Sequence, residues 1–369
     1  MAKPYKLGNR WACDVSVRDA VTGEKSRKRV KARTRAECEA KARKLKETSD
    51  QGLPIVSPTM TVADYMKAWL PAVYARTREK TQVQYEGMTR LHIVPLLGDV
   101  AISKLTPQHV ERLMARKLAD GKSTRTVRHI HTTLRTALAD GVRLGVLAKN
   151  AASDAKPPPL EKAEVNALRR EDAIAFMEAA RGDPLEALWL LALFTGLRRG
   201  ELLGLRWPMV DLERGELTVN GQLQRSKGKG LVIVAPKTRK SVRTIALPGR
   251  AVEALRARRA AQEAERTRLG GEWVASDLVF TTARGTPLDG DNMRGRDFPR
   301  LLEKAGLPPM RFHDLRHTAA TLMLRAGVGM YVVQRGLGHS SITTTIDTYG
   351  HLLPDAGSES AAILERFMK

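Results

Sequence analysis

Cysteine is nearly absent. Cys13 and Cys38 are the only two in 369 residues. Two thiols cannot form a disulfide framework, and a chain long enough to bury its own cores needs no staple. Cysteine and histidine also never cluster at metal-ligand spacing, so no metal or other cofactor is expected. Whatever positive charge a site needs must come from side chains. Long apolar runs are missing too. No stretch approaches the ~18–20 residues that would cross a bilayer, and the N-terminal Met1-Ala2-Lys3-Pro4-Tyr5-Lys6 has no apolar signal core. The expectation is a cytoplasmic chain with no membrane partner. Acidic residues are the third shortage. Forty Asp+Glu face 63 Lys+Arg, a formal net charge of +23 with a pI near 10.3. That balance is silent about fold, but it implies a polyanionic partner, most commonly nucleic acid.

Length and pattern together predict a multidomain chain of two or three domains. Residues 1–57 hold 15 Lys+Arg against 7 Asp+Glu. Trp11, Cys13, Val15 and Val17 alternate with polar residues, the pattern of a half-buried strand. Thr22-Gly23 marks a turn, and Ser26-Arg27-Lys28-Arg29-Val30-Lys31 reads as a second, very basic strand. Thr34-Arg35-Ala36-Glu37 is a capping-box signature that predicts a helix from about Ala36 to Thr48. Gly52, Pro54 and Pro58 read as a linker. Residues 58–155 read as an all-α segment of four short helices. Thr61 caps the first, which carries Val62, Tyr65, Met66, Trp69 and Leu70. The second runs from Thr81 to Ile93 and stops at Pro95. The third starts at Thr106-Pro107, with proline at the first helical position, and ends near Ala119. The fourth runs from Ser123-Thr124 to near Gly145, with Lys122, Arg125, Arg128 and Arg135 at its start and along one side. Lys156-Pro157-Pro158-Pro159 is an extended, semi-rigid spacer. Residues 163–369 mix helices, which dominate, with a small sheet over Leu217–Val219, Leu231–Val234 and Val242–Leu247. Ser226-Lys227-Gly228-Lys229-Gly230 turns between the first two strands.

This last segment carries the chemistry. Thr195-Gly196-Leu197-Arg198-Arg199-Gly200-Glu201 comes first, then Lys237 in a basic run, then His313-Asp314-Leu315-Arg316-His317. Leu337-Gly338-His339 follows, and Tyr349 lies ten residues after His339. A phosphodiester under attack gains negative charge, and fixed donors stabilise that charge best. Arginine suits the task because its planar fork grips two phosphate oxygens and never deprotonates. Taken alone, an arginine is more often a solvated surface charge, and a lone histidine more often structural. Arg198, however, follows the apolar run Leu188–Phe194 and a Thr-Gly break, where a buried helix ends. Spacing alone leaves Arg199 as its competitor. Glu201, three residues on, can brace Arg198 or sit on the surface. His313 and Arg316, three apart, share one face of a helix. Tyrosine has a pKa of ~10 and is a poor nucleophile without neighbouring bases and cations. Most of the six tyrosines read as packed rings. Tyr349 closes the polar run Ser340–Thr348 and precedes Gly350.

The ordered series resembles the tyrosine recombinases, the phage-integrase family. That resemblance implies that Arg198, which directly follows Thr-Gly-X, is the first catalytic arginine, with Glu201 supporting it. It implies Lys237 as general acid, with Lys240 a weaker candidate. It implies Arg316 as second arginine, His313 assisting proton transfer at the nucleophile, His317 in support, His339 donating to the scissile phosphate and Tyr349 as nucleophile. Residues 58–155 resemble the family's core-binding helical domain. Residues 1–57 resemble the arm-binding domain of phage and conjugative-transposon integrases, a three-stranded sheet plus helix. Residues 163–369 would be the catalytic domain with an oligomerising tail, where Ile363, Leu364, Phe367 and Met368 form an apolar stripe. DNA contacts are expected from Arg29, Lys31, Lys122, Arg125, Arg128, Lys227 and Lys229.

The implied activity is cleavage and rejoining of DNA through a 3′-phosphotyrosyl link and a four-way junction, integrating or excising a mobile element such as a phage genome. The implied partners are double-stranded core and arm attachment sites, a homotetramer on DNA, the directionality factor the family usually uses and a host DNA-bending protein. A type IB topoisomerase-like enzyme shares the chemistry, and a catalytically silent DNA-binding protein is a reading of another class. The extra N-terminal segments argue against the first, and the complete catalytic set against the second.

Overall fold

The computed structural model describes residues 3–18, 25–50, 60–160, 166–226, 228–236, 242–339, 341–350, 365–366 and 368. The chain divides into two compact units, Met1–Lys162 and Ala163–Lys369. Among the described residues, no helix is long and apolar enough to cross a membrane.

The first unit begins with strands β1 (Tyr5–Leu7), β2 (Arg10–Arg18) and β3 (Lys25–Ala32), an antiparallel sheet in that order, followed by helix α1 (Arg35–Asp50). The alternation read from β2 is the burial pattern: Cys13, Val15 and Val17 pack with Cys38 and Ala42 of α1. Register sets what the other face carries. Asp14 pairs with Arg29, Ser16 with Arg27 and Ala12 with Lys31, so these three bases share the face opposite Cys13, Val15 and Val17. Thr34 caps α1, its hydroxyl accepting from the Glu37 N–H at 3.2 Å. The Thr22-Gly23 turn and the Gly52–Pro58 linker lie outside the described residues.

Four principal helices follow. The first is α2 (Val62–Tyr74), and α3 (Glu79–Met88) runs through a π turn at Thr89–Ile93 into α4 (Val94–Leu97). Next come α5 (Pro107–Ala119), α6 (Thr124–Arg143) and a short α7 (Ala151–Asp154). Thr61, Thr106 and Ser123 cap α2, α5 and α6 through their hydroxyls. The stop expected at Pro95 is not there. The Val94 N–H donates to the Thr89 carbonyl, five residues back, so the ladder slips before proline, which lacks an N–H, and helix continues to Leu97. Met66, Trp69, Ile93, Ile130 and Leu134 fill the core. Buried Asp140 accepts from Trp69 Nε1 at 2.7 Å and pairs with Arg76 and Arg143.

In the second unit α8 (Arg170–Ala180) leads to α9 (Glu186–Thr195), whose residues 187–193 are all buried. A helix apolar all round belongs at the centre of a domain, and α9 packs against α8, the short α10 (Arg199–Leu203), α11 (Gly249–Leu269) and α14 (Asp314–Arg325). The sheets are β4 (Val210–Asp211), β5 (Glu216–Val219), β6 (Gln222–Ser226), β7 (Gly230–Val234) and β8 (Arg243–Ala246). Their pairing differs from the expectation. β5 pairs with β4 and β8, while β6 and β7 form a separate hairpin across the 226–230 turn. Strand β6, Gln-Leu-Gln-Arg-Ser, carries one apolar residue and was not expected. It is held by its ladder to β7 and by Leu223, buried in the main core. The remaining helices are α11 (Gly249–Leu269), α12 (Gly290–Asn292), α13 (Phe298–Lys304), α14 (Asp314–Arg325), α15 (Met330–Leu337) and α16 (Ile342–Tyr349). A small second core of Ala320, Leu324, Val333 and Leu337 receives the Tyr349 ring. Of the expected apolar tail stripe, Ile363, Leu364 and Phe367 lie outside the described residues, and Met368 is exposed.

Candidate active site

Helix α9 ends at Gly196, which has φ +60°. A side chain there would be strained, and its Cβ would lie 2.6 Å from Leu337 Cδ2. Glycine lets the chain reverse tightly against α15 and deliver Arg198 to the N-cap of α10. The Arg198 N–H donates to Glu201 Oε2 and its Nη1 to Oε1, both at 3.0 Å, while Nη2 donates to the Gly338 carbonyl at 3.2 Å. Arg199 faces elsewhere, with Nη1 on the Gly290 carbonyl at 2.8 Å and on Asp291 at 3.0 Å. Glu201 is buried. Burial pushes its pKa up, but hydrogen bonds and charge from Arg243, and then Arg198, outweigh burial and hold it below the usual range.

Arg316 is the most enclosed charge of the group, 3% exposed. Its Nη1 donates to the Gly196 carbonyl at 2.8 Å, and its Nη2 has no partner among the described residues. Burial, then repulsion from Arg198, brings its pKa down to about 9. A buried guanidinium with a free donor is costly, and an anion relieves the cost.

Three histidines surround it. His313 opens α14, and its ring meets that of His317 edge to face, with centroids 5.5 Å apart. Burial lowers the pKa of both, aided at His313 by the Arg316 charge and at His317 by Arg311 and Arg316 against the opposing pull of Asp314. His339 follows Gly338, a left-handed residue (φ +67°) that ends α15, and its Nδ1 lies 2.9 Å from Thr345 Oγ1. Burial, then Arg316 and Arg198, pushes His339 down to about 4. Tyr349 ends α16 and is buried, which raises its pKa to about 12 against the pull of Arg316. Its hydroxyl lies 2.7 Å from His317 Nδ1. The expectation set His313 beside the nucleophile and His317 in support; here His317 makes the hydrogen bond.

The structure thus brings together Arg198, Glu201, His313, Arg316, His317, His339 and Tyr349. Lys237, Lys240 and Lys227 lie outside the described residues. Lys229 is exposed at the β6–β7 turn. In the first unit Lys31, Lys122 and Arg125 are exposed. Arg29 is half exposed and bonded to Asp14 at 2.8 Å. Arg128 is half-buried and donates to the Pro158 carbonyl at 2.8 Å, so it ties α6 to the proline segment.

Two residues bonded to this group are not legible in the sequence. Thr345 sits in a run of threonines with nothing to single it out. Arg243 follows a basic run and reads as one more surface charge, yet it is buried on Glu201, with Nη2 2.9 Å from Oε2. One signal was available: Arg243 shares a strand face with Ile245, so alternation turns it inward.

Residues 161–355 match the phage integrase family, and residues 61–118 match the N-terminal SAM-like domain of phage integrases. A tyrosine recombinase of the XerC-like type from Caldanaerobacter subterraneus subsp. tengcongensis is 32% identical over 351 residues, covering 90% of each chain. The Tn1549 transposon integrase, solved with a circular intermediate DNA, superposes with a TM-score of 0.70 at 22% identity, covering 84% of this chain and 99% of that one. A lambda integrase tetramer bound to a Holliday junction superposes with a TM-score of 0.57 at 19% identity, covering 96% and 95%. The chain belongs to the phage integrase family of tyrosine recombinases, enzymes that cut and rejoin DNA.

Proposed function

We propose that this chain is the site-specific integrase of a mobile element and that Tyr349 is its nucleophile. One observation carries the reading: helix α14 presents His317 to the Tyr349 hydroxyl, while Arg316 on the same helix holds a buried donor with no protein partner among the described residues. In the proposed reaction Tyr349 Oη attacks the scissile phosphorus and gives its proton to His317. The bond from phosphorus to the 5′ oxygen breaks, a 3′-phosphotyrosyl bond forms, and the leaving oxygen takes a proton. The family resemblance supports Lys237 as the donor of that proton. Arg198 and Arg316 would hold the two non-bridging oxygens, where donors stabilise the added charge. His339 is neutral at pH 7 because its pKa lies near 4. With the Thr345 hydroxyl donating to Nδ1, Nε2–H would be the hydrogen-bond donor to the phosphate. The covalent link conserves the phosphoester, so a freed 5′-hydroxyl from a second duplex reverses the step on a new partner.

We read residues 1–57 as an arm-type DNA-binding domain, 58–155 as the core-binding domain and 163–369 as the catalytic domain with its tail. The open basic face of the N-terminal sheet supports the first assignment. Function on DNA in the bacterial cytoplasm, as a homotetramer across two duplexes, follows from this reading. A directionality factor and a host DNA-bending protein complete the partners it invites. Deleting residues 359–369 should abolish tetramer assembly and keep single-site binding.

The test is recombination in EDTA between two plasmids that carry the DNA adjoining the coding sequence and its reconstituted counterpart. Joined products are expected. Relaxation of any supercoiled plasmid, with or without that DNA and without joining, would instead favour a topoisomerase-like enzyme.

A further inference from the structure

The arginine on β8 has no role in the mechanism above, yet it is held more completely than the residues that do. Its side chain is 8% exposed. Nη2 and Nη1 donate to the two oxygens of Glu201 at 2.9 and 3.3 Å, and Nε donates to the Gly336 carbonyl at 2.7 Å. It stands across the ladder from buried Val219 and on the same strand face as Ile245, a place where an apolar residue would serve. Replacing a buried ion pair with well-packed apolar residues is often neutral or stabilising. Stability is therefore a poor reason to find a guanidinium there.

What an apolar residue could not do is fix directions. Glu201 receives Arg243 on one side and Arg198 on the other, so the orientation of its carboxylate sets where the Arg198 fork lies. The turn that delivers His339 is gripped by the same two arginines, Arg243 on the Gly336 carbonyl and Arg198 on the Gly338 carbonyl. Gly338 makes this grip possible. A Cβ there would lie 2.8 Å from Arg243 Nη1 and 2.9 Å from its Cζ, so only glycine lets the turn rest on the guanidinium.

We propose that Arg243 is a positioning residue that locks Arg198 and the His339 turn into one phosphate-binding unit. The proposal rests on the recombinase reading above. Lysine at 243 keeps the charge beside Glu201 but cannot bond two carboxylate oxygens and a carbonyl in one plane. The unit should then loosen without the fold failing.

The experiment compares wild type, Arg243→Lys and the charge-balanced double variant Arg243→Met/Glu201→Gln. Each is given a nicked suicide duplex from the DNA adjoining the coding sequence. The scissile phosphate is either ordinary or a methylphosphonate, in which a methyl group replaces one charged oxygen. A neutral centre needs less help from arginines, so a defect in holding phosphate charge shrinks on it, whereas general damage slows both substrates equally. For Arg243→Lys, single-turnover cleavage of the phosphate should fall by about 10²-fold, the scale of one misplaced oxyanion donor. The loss on methylphosphonate should be about tenfold smaller, with duplex affinity within about threefold of wild type. The double variant, which removes one positive and one negative charge together, should show the same asymmetry. Equal losses on both substrates, or no loss, would overturn the inference alone. No adduct from wild type would overturn the active-site reading and this inference with it.

Discussion

The basic residues singled out for binding in the first unit and those gathered at the candidate site of the second are held in opposite ways. In the first, Lys31, Lys122 and Arg125 are exposed, and Arg29 meets its partner Asp14 in solvent. In the second, Arg316 and Arg243 are buried, and Arg198 is half-buried between Glu201 and the Gly338 carbonyl. Exposed cations act through counterion release, so each contributes a modest, salt-dependent amount and none is indispensable. Buried cations are fixed and costly to desolvate, and one left with a free donor is suited to hold the charge of a reacting group. Net charge announces the partner, and what sets the proposed site apart is a buried guanidinium whose Nη2 has no partner among the described residues.

This contrast can be broken by substitution. The largest effect should come from Arg316→Ala, which removes the buried donor. Cleavage of a suicide duplex should fall by about 10³-fold with binding nearly unchanged, since an oxyanion donor contributes to the transition state rather than to affinity. A loss in binding equal to the loss in rate would place Arg316 with the exposed cations instead.

His317→Gln should cost about 10²-fold, the lower range for removing an acid–base group. The equivalent change at His313 should cost less if His317 is the proton acceptor; the reverse order would restore His313 to that role. The pH profile sharpens the point. Burial lowers the pKa of His317 below 6.5, so the ring stays a neutral acceptor as pH falls through neutrality. The acid limb of the cleavage rate should therefore lie below pH 6.5 and vanish in His317→Gln. A limb centred above 7 would contradict the assignment.

Arg125→Ala should have the smallest effect. Losing one phosphate contact should lower the slope of log K against log salt by about one, with the cleavage rate at saturation unchanged. A large loss of rate at saturation would mean that this exposed arginine reaches the chemistry.

How far these differences could be read from sequence depends on the range of the interactions that set them. The caps at Thr61, Thr106 and Ser123 are local, and the helices begin where those residues put them. The alternation of β2 is likewise local and fixes which face packs. Arg198 and Arg199 are indistinguishable by spacing; Arg199 is drawn away by Gly290 and Asp291, more than 90 positions along the chain. Strand β6 escaped because its stability comes from pairing with β7 and not from its own composition. The Pro95 stop failed because a π turn absorbed the proline. Arg243 escaped because its partners, Glu201 and Gly336, are remote in sequence and a basic run precedes it. The bond from His317 to Tyr349 spans 32 positions, and the choice between two histidines four apart is a matter of rotamer and ring, which spacing does not carry.

Tyr349, held by His317 beside a buried arginine, is the proposed point of covalent attachment to DNA. The most direct measurement incubates wild type and Tyr349→Phe with the nicked suicide duplex in EDTA and looks for an SDS-resistant protein–DNA adduct. Phenylalanine keeps the buried ring and removes one hydroxyl, so the fold should lose only about 1 kcal/mol. An adduct with wild type and none with Tyr349→Phe, at equal duplex binding, is the predicted result. An adduct that persists in Tyr349→Phe would show that another residue is the nucleophile.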